Sequence, residues 1–436
     1  MKRNPSAFPL VVLSVLVLLV SSCNNQTLRI FKSSSARTQY LSTLENSGIA
    51  ATKIGEEWHS AAGKAILNAA DLEIPIAIQG SFKSKSIEAK AWRFQLEQGA
   101  SITILVQWQA KDSSELIVDL LDGPAWEELK SYAIQNDSVK FEAEKTGGYL
   151  LRIQPELLGE GNFQVRIYGT ATYAVFPVQG KNSRAIQSVW GDARDAGRRS
   201  HEGVDIFAAR GTPVLAPVDG VVTAVRNRGL GGKQVWVRDR ERNWNLYFAH
   251  LDSQLVSNLQ RVNPGDTLGL VGNSGNARTT APHLHFGIYQ HGAINPYPAI
   301  QTEFEVVSEL PEREFPPVMK VNVSQANLRR LPTTKSEVIS KLDANALVYV
   351  SAATFDWVQV QTVEGINGYL SQSLLSQPEA SPMASSTVYA YTSPNPFVLD
   401  SLLIQLENFS KLGSAQEYEM IQDRDENLLF LKRGNF

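Results

Sequence analysis

Short apolar segments, separated by turns that contain glycine or proline, are the feature that most limits how this chain can fold. Segments such as Ser101-Ile-Thr-Ile-Leu-Val-Gln-Trp108 and Gln234-Val-Trp-Val-Arg238 alternate apolar and polar residues or stay apolar over a few positions. That length and pattern are typical of β-strands, whose side chains point alternately to opposite faces of a sheet. Only residues 56–70 carry apolar residues at clear helical spacing. The sequence therefore predicts a mainly β protein with one short helix near its start.

The grouping of these segments divides the 436 residues into several domains. We predict a β-sandwich that resembles a jelly roll at residues 46–173 and a compact antiparallel β domain at residues 174–302. A linker follows at residues 303–317, where prolines and charged residues cluster. Residues 318–378 are predicted to form a small barrel of the SH3 type. The pattern of residues 387–436 assigns no fold, although a partial second SH3-like module is one reading.

The first 22 residues have the pattern of an export signal. Lys2 and Arg3 precede an apolar run over residues 10–20, which is too short to span a bilayer comfortably, and Cys23 follows it. This arrangement resembles a bacterial lipoprotein signal, which implies cleavage before Cys23, lipidation of Cys23 and a tether over residues 23–45. An ordinary secretory signal cut elsewhere is the alternative. We expect a lipid-anchored protein of the cell envelope, on the periplasmic side of the outer membrane if the cell is Gram-negative, because Asn24 is not the Asp of an inner-membrane retention signal.

The charge of the chain argues against one class of partner. The formal net charge is -3, and no basic run with interleaved aromatic residues occurs. Proteins that bind nucleic acid usually present such a cationic surface. We therefore expect no nucleic-acid partner.

Histidines and one aspartate recur in three short motifs of the central domain. His201 and Asp205 are four residues apart, His250 lies in Ala249-His-Leu251, and His283 and His285 lie in one apolar segment. On a strand, His283 and His285 would point to the same face. A catalytic zinc site uses three protein ligands and leaves a fourth position open for water. These motifs predict such a site and include two further imidazoles that are not needed as ligands.

The motifs also resemble a known family. Val189-Trp-Gly-Asp192, His201-x-x-x-Asp205, Ala249-His-Leu251, Gly272-Asn-Ser-Gly275 and His283-Leu-His285 resemble, in this order, the LytM/lysostaphin-like peptidases of family M23. The resemblance implies that His201, Asp205 and His285 bind Zn²⁺, and that His250 and His283 are the catalytic imidazoles. The chain departs from the family at Thr280-Ala281, where Thr-Gly is common.

A second resemblance concerns residues 318–378. Ala326-Asn-Leu-Arg329, Asp356-Trp-Val-Gln-Val360 and Asn367-Gly-Tyr-Leu370 resemble the landmarks of a bacterial SH3 domain. Together the resemblances imply a zinc metalloendopeptidase that cuts peptide crosslinks of peptidoglycan, held at the wall by the SH3 domain, with any regulatory protein unidentified. The alternative is a non-catalytic scaffold of the same fold that binds the wall or activates another wall hydrolase. A carbohydrate-binding lipoprotein with a structural metal would instead need a closed site with four ligands.

Overall fold

The computed structural model describes residues 34–134, 136–194, 196–392, 401–415 and 417–433. The predicted signal segment and Cys23 lie outside these residues. The described chain is mainly β, as the sequence predicts. Within the described ranges, no helix combines the length and apolar character that crossing a bilayer requires.

Two helices precede the first sheet, and the first of them corrects a prediction. Helix α1 spans Ala36–Asn46, inside the segment predicted to be a tether, and α2 spans Lys53–Leu67, where a helix was expected. The Ser35 hydroxyl caps α1 by accepting a hydrogen bond from the backbone N–H of Thr38. The Arg37 guanidinium is buried and lies 2.7 Å from the Asp119 carboxylate, which belongs to the following domain. The tether prediction is therefore wrong for residues 36–45, because a contact distant in sequence fixes a locally polar segment.

The N-terminal domain is a sandwich of two sheets. Its strands are β1 Ala70–Asp71, β2 Ile76–Phe82, β3 Lys90–Leu96, β4 Ser101–Ala110, β5 Leu116–Asp122, β6 Glu127–Ile134, β7 Asn136–Glu142, β8 Gly147–Pro155 and β9 Gly161–Thr170. One sheet has the order β1-β3-β8-β5-β6, and the other contains β2-β9-β4-β7. From β2 to β5 each strand lies in the opposite sheet from the one before it, and β6 to β9 return between the two sheets. Eight strands arranged this way form a jelly roll.

The central domain is built on one antiparallel sheet. Its strands are β10 Ile186–Ser188, β11 Ala193–Arg194, β12 Arg199–Ser200, β13 Val204–Phe207, β14 Pro213–Leu215, β15 Gly220–Asn227, β16 Lys233–Asp239, β17 Trp244–Ala249, β18 Ser253–Gln254, β19 Arg261–Val262, β20 Thr267–Leu270, β21 His283–Tyr289 and β22 Ala293–Ile294. A short helix, α3 Tyr297–Ile300, ends the domain. The main sheet runs β10-β13-β21-β17-β16-β15-β19, and β14-β20-β18 form a small separate sheet. Three neighbouring strands of the main sheet, β13, β21 and β17, carry or adjoin the motifs of interest.

The central domain is fixed to the jelly roll by a charged pair and an aromatic contact. The Arg242 guanidinium donates to both carboxylate oxygens of Glu142, at 2.7 and 2.8 Å. Trp244 packs so closely against Gly99 that a Cβ at Gly99 would lie 3.0 Å from the indole ring. A forked arginine–carboxylate pair fixes orientation as well as distance. The two domains therefore meet in a defined arrangement.

Residues 303–317, predicted as a linker, contain no helix or strand but lie against the jelly roll. The Gln164 side chain donates to the carbonyl of Leu310 and accepts from its N–H, and Gln79 donates to the carbonyl of Pro311. The Leu310 side chain is buried. The segment therefore fixes the position of the next domain on the jelly roll.

The SH3-like domain shares a sheet with the jelly roll. Its strands are β23 Val318–Val321, β24 Gln325–Arg329, β25 Val338–Asp343, β26 Leu347–Thr354, β27 Trp357–Thr362, β28 Asn367–Ser371 and β29 Leu375–Ser376. Strand β26 pairs with β2 at Gln79 and Ala353, so one sheet continues through both domains. The Trp92 indole N–H donates to the Gln359 side-chain oxygen at 2.7 Å, and Tyr369 is buried in the jelly-roll core. The two domains therefore have a common core.

The last described residues form a further β module. Its strands are β30 Ser381–Pro382, β31 Thr387–Tyr391, β32 Ser401–Gln405, β33 Phe409–Ala415, β34 Tyr418–Asp423 and β35 Leu428–Lys432. They pair in the order β32-β31-β35-β34-β33-β30, which repeats the order β25-β24-β28-β27-β26-β23 of the preceding domain. Val318 and Leu347 of that domain pack against Met420 and Phe430. The module thus has the strand order of a second SH3-like unit.

Candidate active site

The register of three neighbouring strands brings the His and Asp motifs together. Asp205 in β13 lies directly opposite His285 in β21, and Ala249, the last residue of β17, lies opposite His285 on its other side. Directly opposed residues share one face of a sheet, and His283 shares it too because it is two residues from His285. His201 enters from the loop before β13. The motifs therefore converge on one face of the central sheet.

Three ligand atoms form a nearly regular triangle on this face. His201 Nε2 lies 3.1 Å from Asp205 Oδ1, His285 Nδ1 lies 3.0 Å from the same oxygen, and the two nitrogens are 3.0 Å apart. Ligands at zinc distances on one face of a tetrahedron would be about 3.3 Å apart. Two imidazoles and one carboxylate at this spacing fit a metal ion with a fourth position open. This is the largest His, Asp or Glu grouping of that kind among the described residues.

Neighbouring groups that are not ligands set how each ligand faces the centre. His201 Nδ1 lies 2.8 Å from the carbonyl of Val189, so the N–H is at Nδ1 and the Nε2 lone pair faces the triangle. Asp205 Oδ2 accepts from Arg194 Nη2 at 2.8 Å, which leaves Oδ1 for the triangle. A Cβ at Gly203 would lie 2.8 Å from His285 Nε2, so the absence of a side chain at Gly203 leaves room for that ring.

Two more imidazoles lie beside the triangle. His283 Nε2 is 3.9 Å from Asp205 Oδ1, and the rings of His250 and His283 are 5.0 Å apart. In a regular strand His250 would point away from this face, because its neighbour Ala249 occupies it. A left-handed backbone conformation at His250, with φ of 61°, ends the strand and turns the ring back.

Both of these rings present the same nitrogen to the centre. His250 Nδ1 donates to the carbonyl of Ser274 at 2.9 Å, and His283 Nδ1 donates to the carbonyl of Ala281 at 2.8 Å. In the tautomer with its N–H on Nδ1, each ring keeps the Nε2 lone pair on the side away from the backbone carbonyl. Such a lone pair is able to accept a proton from a water molecule.

The electrostatics of the centre favour neutral imidazoles around an ionised carboxylate. Burial and the neighbouring imidazoles of His283 and His285 lower the pKa of His250 to about 4. Burial also lowers the pKa of His285. Burial alone would raise the pKa of Asp205, but hydrogen bonds from His201 and His285 hold it well below its usual range. Neutral nitrogens and an ionised carboxylate are the forms in which these groups bind a metal.

Aromatic side chains continue the same face of the sheet beyond the histidines. The Tyr247 ring lies 5.7 Å from the His285 ring, and Trp236 contacts Tyr247 and Tyr289 at 4.4 and 5.4 Å between ring centres. All three are partly exposed. They form an aromatic surface next to the centre that a bound chain could lie on.

The geometry explains part of the sequence pattern and adds residues to it. His201, Asp205, His285, His250 and His283 all meet at one place. Arg194, Ser188 and Gly203 were not predicted to shape the site. Only the glycine between His201 and Asp205 gave a local signal, whereas the arginine acts through a contact that depends on the fold.

Comparison with known proteins places this centre in a family. Residues 199–296 match the model of peptidase family M23, and residues 322–377 match that of the bacterial SH3 domain. The chain carries an M23 peptidase domain. All five site residues lie within the M23 match. The prediction of M23 and SH3 domains is thereby confirmed.

The chain is similar to curated endopeptidases and to a solved peptidase domain over part of its length. An L-Ala--D-Glu endopeptidase of Bacillus subtilis is 37% identical over 139 residues, which are 29% of this chain and 42% of that protein. Peptidoglycan DD-endopeptidase ShyA of Vibrio cholerae is 35% identical over 115 residues, 26% of each chain. The catalytic domain of lysostaphin from Staphylococcus simulans is 28% identical and matches 27% of this chain and 94% of its own, with a TM-score of 0.24. The chain spans less than half the length of these two curated relatives.

Proposed function

We propose that this protein is a zinc-dependent endopeptidase that hydrolyses peptide crosslinks of bacterial peptidoglycan. The observation that carries the proposal is the triangle of His201 Nε2, Asp205 Oδ1 and His285 Nδ1 with two further imidazoles beside it. A structural metal site would use a fourth protein ligand, and the triangle has none among the described residues.

The donor set supports zinc as the ion. Magnesium and calcium prefer oxygen ligands, whereas two imidazoles and one carboxylate suit zinc. When bound, zinc would polarise the scissile carbonyl and lower the pKa of a water molecule toward ~7. His201, Asp205 and His285 would hold it.

The remaining imidazoles supply proton transfer. His250 and His283 lie beside the triangle and use Nδ1 to bind backbone carbonyls, so the Nε2 atom of one ring can accept the proton of the attacking water. The protonated ring then donates that proton to the leaving amine. The other ring would stabilise the developing oxyanion by hydrogen bonding in the form that carries a proton on Nε2. The backbone carbonyls of Ser274 and Ala281 keep both rings oriented throughout.

The substrate class is supported by the relatives rather than by contacts in the cleft. The names of the two curated relatives specify different bonds, L-Ala–D-Glu in one and a D,D-bond in the other. We propose the peptide part of peptidoglycan as substrate and leave the bond to experiment. The aromatic surface of Trp236, Tyr247 and Tyr289 would support the bound chain.

We propose a location in the cell envelope on the basis of the N-terminal signal pattern. Lipidation of Cys23 would keep the enzyme beside the wall, at the outer membrane if the cell has one, and the SH3-like domain would add wall contacts. Metabolic labelling with a fatty acid tests the anchor, because Cys23→Ser should abolish both the label and membrane retention.

Mass spectrometry of products released from purified sacculi tests hydrolysis and identifies the bond. The zinc-loaded full chain should release muropeptides with new amino termini, and His283→Ala should reduce the rate by about 10²- to 10⁴-fold while zinc content stays unchanged. His291→Ala, at an exposed histidine outside the site, is the matched control. Zinc uptake without any new amino group would instead support the non-catalytic scaffold.

A further inference from the structure

The segment Ser188–Arg194 contacts two of the three ligands in the triangle without contributing one. The segment begins at Ser188, the last residue of β10, which pairs with β13 so that Ser188 lies directly opposite Asp205. It also includes Arg194, the end of β11, whose partner strand β12 leads straight into His201. This short segment therefore lies beside both His201 and Asp205.

The Arg194 guanidinium connects this segment to Asp205. Its Nη2 donates to Asp205 Oδ2 at 2.8 Å and also to the Ser188 hydroxyl. The Asp205 side chain is 11% exposed and the Arg194 side chain 33%. Because one carboxylate oxygen is engaged by Arg194, only Oδ1 is presented to His201 and His285. This fixes Asp205 as a ligand through a single oxygen.

Asp192 connects the same segment to His201. Asp192 Oδ2 accepts from the Ser188 hydroxyl at 2.8 Å and from the backbone N–H of Val189 at 2.9 Å. The carbonyl of Val189 accepts from His201 Nδ1, and the N–H of His201 donates to the carbonyl of Asp192 at 2.9 Å. These bonds hold the ring and the backbone of His201 together. Ser188 links this set of bonds to the one through Arg194.

We propose that Arg194 is a positioning residue for the metal centre, acting through Asp205 and, with Ser188 and Asp192, through His201. The inference rests on the proposed zinc site. A positive charge beside Asp205 reduces the electron density of the carboxylate, which by itself weakens metal binding. The orientation of Asp205 by Arg194 strengthens metal binding. Without Arg194 the Asp205 side chain would be free to rotate, and ordering it on metal binding would cost conformational entropy. Groups that orient ligands in this way typically change metal affinity by about 10- to 100-fold when removed.

Zinc affinity of the full chain, measured by competition with a chelator, separates positioning from a merely structural role. Arg194→Met should raise the dissociation constant for zinc by about 10- to 100-fold. Arg194→Lys keeps a donor and a charge and should recover part of that loss. Arg184→Met is the matched control. Arg184 lies in the same domain as Arg194 and forms an exposed pair with Glu303 at the start of the linker, so its loss should leave zinc affinity unchanged.

Thermal unfolding of the zinc-free proteins completes the test. Equal unfolding temperatures of zinc-free wild type and Arg194→Met, together with weakened zinc binding, support the inference. Zinc binding by Arg194→Met as tight as that of Arg184→Met would overturn it while leaving the proposed function intact. A loss that Arg194→Lys does not recover, accompanied by a lower unfolding temperature, would also overturn it. A wild-type chain that takes up no zinc would count against the proposed function itself.

Discussion

The single methyl group added by Gly203→Ala should displace the ligand His285 and so weaken the metal site. A Cβ at Gly203 would lie 2.6 Å from the carbonyl oxygen of Phe286, 2.7 Å from His285 Cε1 and 2.8 Å from His285 Nε2. Ordinary contacts begin near 3.4 Å, so the ring or the strand must move by about 0.6 to 0.8 Å. Productive sites tolerate displacements of about 0.5 Å. We expect zinc affinity to fall by about 10- to 100-fold, or ~1.4 to 2.7 kcal/mol.

Chelator competition on the full chain measures this loss, and denaturant unfolding of the zinc-free protein measures the strain, expected at about 1 to 3 kcal/mol. Gly292→Ala is the matched control, because its added Cβ would meet no atom within 4 Å. Zinc affinity of Gly203→Ala equal to that of Gly292→Ala would refute the reasoning, since the His285 ring would then not depend on the space at Gly203.

Two further predictions concern pH and the junction between domains. The pKa of His250 is about 4 in the folded zinc-free chain, whereas its ordinary value is 6.5. As the pH falls, the imidazole of His250 is therefore protonated in the unfolded chain before it is protonated in the folded chain. The free energy of unfolding should consequently fall as the pH drops from about 6.5 to 4. His250→Asn should flatten that slope in urea titrations at successive pH values, and an unchanged slope would contradict the assignment. Trp92→Phe should cost about 1 to 3 kcal/mol in the same titrations, because the buried oxygen of Gln359 loses its donor. Adding Gln359→Leu should recover part of this cost, and no recovery would mean that the hydrogen bond is not its source.

The fold could be predicted from the sequence where local patterns decide it. Strands such as β4 and β9 alternate apolar and polar residues, and their alternation fixes which face is buried. Helix α1 could not be predicted, because its apolar content is low and its anchor is the contact between Arg37 and Asp119, 82 residues apart. Residues 303–317 looked like a free linker for the same reason, since their partners Gln79 and Gln164 lie on distant strands.

The candidate site, like the fold, could be predicted from the sequence only where local patterns indicate it. The five His and Asp residues could be selected as candidates because their spacing within each motif is short and the motifs have a known order. Arg194 was missed, since an arginine between charged and small residues has no periodic signal, and its contact with Asp205 Oδ2 exists only in the folded chain. The turn of the backbone at His250 was likewise invisible, although it decides to which face that ring points.

The sheet that continues from the jelly roll into the SH3-like domain through β2 and β26 has a consequence for the proposed cleavage of the wall. With Arg242 and Glu142 fixing the peptidase domain on the other side, the cleft and any wall-binding surface of the SH3-like units lie at a set distance and angle. On a flexible linker, binding would raise the local concentration of all bonds within reach. On a rigid frame, the proposed binding to the wall would instead select the bonds that lie at one distance from the point of attachment.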